Sequence, residues 1–347
     1  MRDVDIPLCK RAQMGLLGAT VPVRRGFTGL CGRPRQSEIL ARLAFRRPFG
    51  PVFDGESKGY FSQEGLDVQI DSGNGSAGAV TRVATGAYDM AFADINALIE
   101  QESQHLGTGV KGIYMVYNAT PAAVFLLKSA GVTTPAALAG KTIAAPVFDA
   151  ARKSWPVFAQ KNGLSKDAVT WQSADPTVTA NLLVRKSVDA IAGFSFTNLL
   201  NLEARGVKAD DLVVFPYAQY GVDLYGNTLI ASKTMLEKHP DTLKAFLRAF
   251  NKAVQETLAD PVSAARFVKE QDALIDLPLE TRRLQLAFGQ RVVTPETRKN
   301  GLGDVDTERL NRSISDVVAA FALKNTPTAD AVFTRALLPE RAERSVR

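Results

Sequence analysis

Asp94, Asp149, Arg152, Ser76 and Asn96, with Phe49, Phe148, Phe194, Tyr220 and Tyr225 around them, are the side chains of this 347-residue sequence whose types and places suit gripping a small solute. Most follow a segment that reads as a strand or open one that reads as a helix. In open α/β sheets ligands lie beyond the carboxyl ends of strands, where helices begin and their first N–H groups lack partners. Such helix starts hold anionic or carbonyl oxygens. The loop Gly73 to Ser76 is one of these places: Gly75 permits a tight turn or a close approach, and Ser76 sits where a helix opens. Asn118 and Thr120 are polar residues amid Val116, Ala119 and Val124. Aromatic rings suit a planar solute through stacking. A carboxylate suits an amino or amidine-like donor, so an aminopyrimidine or other heteroaromatic fits this set better than bare nitrate. A sulfonate would be held by Ser76 and Arg152. Each residue also has a plainer role, Asp94 and Asp149 as helix caps, Gly73 as a turn glycine and the phenylalanines as core.

Bond-breaking chemistry finds little support. His105 and His239 are the only histidines, and Glu102, three residues before His105, is joined by no second His or Cys. Ser195 lies in Gly-Phe-Ser-Phe, which is not a nucleophile elbow. The expectation is a binding protein with no catalytic residue, no metal and no cofactor.

The elements that must position these side chains can be read locally. Leu66, Val68 and Ile70 alternate with polar residues as in a half-buried strand. A helix from Ala77 to about Thr85 ends at Gly86, and a strand from Tyr88 to Ala93 leads to Asp94, which caps the next helix. A first strand is expected at Ile39 to Phe45. From Thr134 onward strands and helices alternate: a short helix opened by Thr134-Pro135 and ended by Gly140, strand 141–145, helix 149–162, strand 168–173, helix 176–186, strand 188–194, and a helix from Asn198 to Arg205. Two β-rich crossings, Gly112 to Val124 and Tyr217 to Ser232, would form a hinge. Helices then dominate at 240–258, 261–270, 279–288 and 306–323, the first with Leu243, Phe246, Leu247, Phe250 and Val254 on one face. The tail from Glu340 is expected to fray.

Several of these segments together resemble a known family. K-G-Y-F-x-x-E-G-L-D-V (58–68), G-x-G-S (73–76) and T-G-x-Y-D-M-A-F-A-D (85–94) are similar to the N-terminal lobe of solute-binding proteins of ABC importers, in the nitrate/sulfonate/taurine and thiamine-pyrimidine-precursor group. The resemblance continues through T-P-A-A-L-A-G-K-T-I-A-A-P (134–146), S-V-D-A-I-A-G-F (187–194), Y-G-N-T-L-I-A-S (225–232) and H-P-D-T-L-K-A-F-L-R-A-F (239–250), and so covers roughly 49–340. It implies an α/β, two-lobed periplasmic-binding-protein fold of type II kind, each lobe a mostly parallel sheet flanked by helices, joined by two crossing strands. Lobe one would comprise 38–118 and 227–347, and lobe two 119–226. The implied function is capture of a small organic solute and delivery to the transmembrane subunits of an ABC permease, by a periplasmic monomer. The alternative is an enzyme of pyrimidine-precursor metabolism on the same fold, but the cysteine-rich iron motif of those enzymes is missing here.

Charge and cysteine usage set the N-terminal segment, 1–37, apart. Residues 1–48 carry ten Lys/Arg against three Asp/Glu, while the rest of the chain is near neutral at −1. A nucleic-acid partner would need a basic stripe on the folded part and is not expected. Cys9 and Cys31 both fall in this segment, so the remainder has no thiol. The run Met14 to Val23 makes an atypical signal peptide, which suggests a misassigned start or an altered upstream reading frame.

Overall fold

The computed structural model describes residues 39–45, 50–73, 75–271 and 273–346. Among them, the strands β1 (Ile39–Phe45), β2 (Leu66–Ser72), β3 (Met90–Asp94), β4 (Lys111–Met115) and β10 (Asn227–Ala231) form one sheet in the order β2-β1-β3-β10-β4. β5 (Ala122–Leu127), β6 (Thr142–Ala145), β7 (Thr170–Ser173), β8 (Ala190–Phe194) and β9 (Leu212–Pro216) form the second, in the order β7-β6-β8-β5-β9. Each sheet has three parallel neighbours and then one strand, β10 or β5, running antiparallel to both its own neighbours. Only these two strands run against the rest, so the sheets are mostly parallel.

The helices are α1 (Gly50–Ser57), α2 (Tyr60–Gln63), α3 (Ser76–Ala84), α4 (Ile95–Gln104), α5 (Ala150–Lys153), α6 (Trp155–Lys161), α7 (Thr179–Val184), α8 (Ser195–Glu203), α9 (Lys233–Lys238), α10 (Pro240–Ala259), α11 (Pro261–Gln271), α12 (Leu277–Ala287), α13 (Pro295–Asn300), α14 (Thr307–Ala320) and α15 (Ala329–Val332). Central strands are buried on both faces: every residue of β10 is buried, as are four of five in β3, which is why they read as continuous apolar runs. The edge strand β7, T-W-Q-S, is largely exposed. The stripe expected on α10 is fully buried, with Phe246 stacked between Phe61 at 4.9 Å and Phe250 at 6.0 Å. Burying each such side chain contributes about 1.5–3 kcal/mol.

Four local expectations are corrected. Helix 149–162 is two helices that meet at Ser154, because Pro156 has no N–H for the carbonyl of Arg152 and its ring crowds that turn. α8 opens at Ser195, directly after β8, rather than at Asn198. α12 ends in a π-helical turn, Phe288–Val292, closed by Val293 N–H donating to Phe288 O at 2.9 Å. The tail does not fray. Arg344 is 6% exposed, its guanidinium donates to Pro339 O and Leu302 O at 2.7 Å each, and its carbonyl accepts from Leu302 N–H at 2.8 Å.

Two crossings connect the sheets, 116–121 and 217–226, and they are bonded to each other. Thr120 N–H donates to Leu224 O at 3.0 Å and Gly226 N–H to Tyr117 O at 2.8 Å. Helix α14 packs against both α4 and α6, one helix from each side of these crossings.

Candidate functional site

β2 and β3 run parallel on either side of β1, so the helices after them start at the same edge of the sheet. Gly75, in the left-handed region at φ 109°, turns the chain from β2 into α3, and a Cβ there would lie 3.1 Å from Cβ of Phe148. One step in, Ser76 Oγ accepts the N–H of Asp94 at 3.0 Å. Asp94 ends β3 and caps α4: its Oδ1 accepts from Asn96 N–H at 2.8 Å and from Asn96 Nδ2 at 2.7 Å. Asn96 Nδ2 also donates to Tyr225 O at 2.9 Å, which fixes the amide, and its buried Oδ1 has no partner. Burial pushes the Asp94 carboxyl up to about 6, against the lowering effect of the Asn96 bonds and with a further push from the charge of Asp149. From the second sheet, β6 leads to Phe148, which is 39% exposed, and to Asp149, which caps α5 through Ala151 N–H at 2.8 Å. Ser76, Asp94, Asn96, Phe148, Ser154 and Leu224 line a small cavity of about 30 Å³.

A second group lies at the ends of β3 and β8. The rings of Phe92, Tyr117, Phe194 and Phe196 follow one another edge to face: Phe92–Tyr117 5.7 Å, Tyr117–Phe194 6.3 Å, Tyr117–Phe196 6.0 Å and Phe194–Phe196 5.7 Å. Phe92 and Phe194 are half-buried, so this cluster keeps some apolar surface exposed. Ser195, between Phe194 and Phe196, accepts from Nη2 of the buried Arg291 at 3.2 Å.

Several residues expected at the ligand make hydrogen bonds or ring contacts within the protein. Asn118, Tyr225 and Asp223 converge on Glu296 and Arg309. Glu296 Oε1 accepts from Tyr225 OH at 2.6 Å, Asn118 Nδ2 at 3.0 Å and Asp306 N–H at 3.1 Å, while its Oε2 pairs with Arg309 Nη1 at 3.0 Å. Arg309 lies 4.0 Å from the centre of the Tyr225 ring and bonds Asp223 at 2.8 Å. Burial and the Glu296 carboxylate hold the Tyr225 phenol well above its ordinary value. Thr120 is buried, with Oγ1 accepting from Ala122 N–H at 3.3 Å. Tyr220 packs on Phe158 and Phe215. Arg152 is turned toward β7: its Nη1 donates to Ala145 O at 3.2 Å and Ser173 Oγ at 3.0 Å, over the Trp171 ring at 5.1 Å. The structure therefore brings Gly75, Ser76, Asp94, Asn96, Phe148 and Asp149 together, and places Asn118, Thr120, Arg152, Tyr220 and Tyr225 in internal contacts. Phe49 lies outside the described residues.

The sequence model of the family described as NMT1/THI5 like matches residues 48–264. The chain belongs to the NMT1/THI5-like family. Among family-related proteins, it is 27% identical over 299 residues to the riboflavin-binding protein RibY of Chloroflexus aurantiacus, covering 84% of this chain and 82% of RibY. It is 24% identical over 227 residues to 4-amino-5-hydroxymethyl-2-methylpyrimidine phosphate synthase THI11 of Saccharomyces cerevisiae, covering 62% of this chain and 64% of the synthase. In structure it is similar to the periplasmic aliphatic sulphonate-binding protein SsuA of Escherichia coli, with a TM-score of 0.68 at 12% identity over 88% of this chain and 94% of SsuA. This NMT1/THI5-like chain thus has the periplasmic-binding-protein fold.

Sequence reasoning missed Arg291, Glu296 and Arg309, all C-terminal to the matched stretch. The one signal for Arg291 is a cation directly before Val292-Val293 at a helix end, F-G-Q-R-V-V.

Proposed function

We propose that this protein is the solute-binding component of an ABC-type importer, working in the periplasm and holding a planar, nitrogen-bearing heteroaromatic solute between two lobes. The lobes are 38–118 with 227–347, and 119–226. The observation that carries the reading is the shared cavity: Ser76, Asp94 and Asn96 at helix starts of the first sheet meet Phe148 and Ser154 of the second across it. A solute that touches both sheets binds the closed form better than the open one, and that difference is what drives closure. Asp94 offers a carboxyl oxygen to an amino or ring N–H, and Asn96 Oδ1 is a second acceptor without a donor. The Phe92–Tyr117–Phe194–Phe196 wall suits a flat ring. At about 30 Å³ the cavity is smaller than such a solute and would have to widen to admit it.

The names of the relatives favour the same class: one binds riboflavin, another makes a pyrimidine phosphate. The second is also the observation behind a rival reading, an enzyme of pyrimidine-precursor metabolism. The two separate in one experiment. Thermal unfolding of the protein is followed with aminopyrimidines, flavins, alkanesulfonates and nitrate. Binding to the native state alone stabilises by about 2.7 kcal/mol at a hundredfold excess over the dissociation constant. A saturable rise with an aminopyrimidine or flavin that is recovered unchanged supports the receptor, turnover of the compound supports the enzyme, and a rise with nitrate alone rejects the heteroaromatic reading.

A further inference from the structure

Arg291 is buried without a counter-charge. It is 9% exposed, it takes part in no ion pair among the described residues, and its Nε has no hydrogen-bond partner. Burial holds its guanidinium below the ordinary arginine value, with no neighbouring carboxylate to oppose that effect. A buried, unpaired cation is expensive. The π-helical turn Phe288–Val292 places Arg291, and such turns recur at functional sites. The turn is held on the crossing by Asn118 N–H donating to Arg291 O at 2.7 Å.

What the guanidinium faces is also short of acceptors. Its Nη2 donates to Ser195 Oγ, which leaves the serine O–H free to donate onward. Ser195 is the first residue of α8, a nine-residue helix whose N-terminus has no side-chain cap. One turn along the same face, Asn198 is 6% exposed and its Nδ2 has no partner. Gly193 makes the space: a Cβ there would lie 2.7 Å from Asn198 Nδ2. The Arg291 guanidinium, the Ser195 O–H and the unpartnered Asn198 Nδ2, together with a positive helix end, are complementary to an anion.

We propose that Arg291, Ser195 and Asn198 form an oxyanion-binding subsite at the start of α8, which receives the phosphate, sulfonate or carboxylate of a solute whose ring lies against Phe194, Phe196 and Tyr117. This rests on the receptor reading for the solute but not for the anion. With Asp94 as acceptor at the end of β3, the subsite makes the preferred solute a heteroaromatic that carries an acidic group.

The test uses the full chain and simple anions. Thermal unfolding is followed in inorganic phosphate, sulfate, methanesulfonate and acetate, with chloride at matched ionic strength as control. The expected result is a saturable rise in midpoint with at least one oxyanion and none with chloride. Arg291→Gln should weaken that response at least tenfold, Arg291→Lys and Asn198→Ala less. In chloride alone Arg291→Gln should melt no lower than the parent, since it removes a buried charge that nothing balances. The proposal is overturned if no oxyanion acts on the folded parent, or if Arg291→Gln responds as the parent does, which marks a general salt effect. It also fails if Arg291→Gln melts well below the parent in chloride while keeping the oxyanion response, which marks a structural arginine. Heteroaromatic binding that persists undiminished in Arg291→Gln removes the subsite and leaves the receptor intact.

Discussion

Replacing Asp94 with Asn keeps the cap of α4 and removes a carboxyl that the fold holds in an unfavourable place. Asp94 is 4% exposed, and burial, helped by the charge of Asp149, raises its carboxyl from the ordinary 3.8 to about 6. Below pH 3.8 the group is neutral in the folded and unfolded chain alike and costs nothing. As pH rises from there through 6, the unfolded chain releases the proton before the folded one does, so folding stability falls. Above 6 the loss is complete, about 3 kcal/mol at about 1.36 kcal/mol per pH unit. Asn is as good an N-cap as Asp, and its oxygen can take over the bond from Asn96 N–H. Asp94→Asn should therefore stabilise the protein by about 1–3 kcal/mol at pH 7.5, and the gain should shrink toward zero at pH 4. Urea unfolding of both proteins at pH 4, 5, 6, 7 and 8 measures it. A variant less stable than the parent at pH 7.5, or a difference that does not vary with pH, would refute the reasoning. The same substitution should weaken a solute that donates to Asp94, so a stability gain with a binding loss marks a functional residue.

Glu296→Ala should cost about 3 kcal/mol in urea unfolding, because it strips partners from Tyr225, Asn118 and Arg309 together; Glu296→Gln should cost less. Gly75→Ala forces a side chain at φ 109° against Phe148 and should cost about 1–3 kcal/mol, read as a lower melting point. Ending the chain at Pro339 removes the bonds of Arg344 to Leu302 and those of Asn251 and Gln255 to Glu343 O. That truncation should cost at least about 2 kcal/mol, whereas an unchanged melting curve would mean that the tail contributes nothing.

The stretch from Lys58 to Asp94 was legible because each of its elements is specified locally: alternation for β2, Gly75 and Ser76 for the turn, Gly86 for the stop, and Asp94 for the next cap. The crossings were legible as crossings but not in their chemistry. Asn118, Thr120 and Tyr225 stand out as polar residues among apolar neighbours, and that pattern does not say whether the partner is a solute or the protein itself. The partners of Asn118 and Tyr225, Glu296 and Arg309, are far along the chain on helices with no local signature for the meeting. Arg152 stands at a helix start, the right place for an anion, yet the Trp171 ring and two acceptors hold its guanidinium elsewhere. α1 was missed because G-P-V-F-D-G-E-S is a poor helix former. It forms by docking on α10 and α11, and a Cβ on Gly55 would already sit 3.3 Å from Cβ of Ala253 on α10.

β10 lies between β3 and β4 but is synthesised after every strand of the second sheet. During synthesis, therefore, β3 and β4 emerge as two unpaired edges with a one-strand gap between them. The second sheet, continuous from Ala122 to Pro216, can assemble by itself in the meantime. Non-local pairings of this kind slow folding, and open strand edges invite the wrong partner. The position of one strand in the sheet thus makes the folding order vectorial, with the first sheet sealed last.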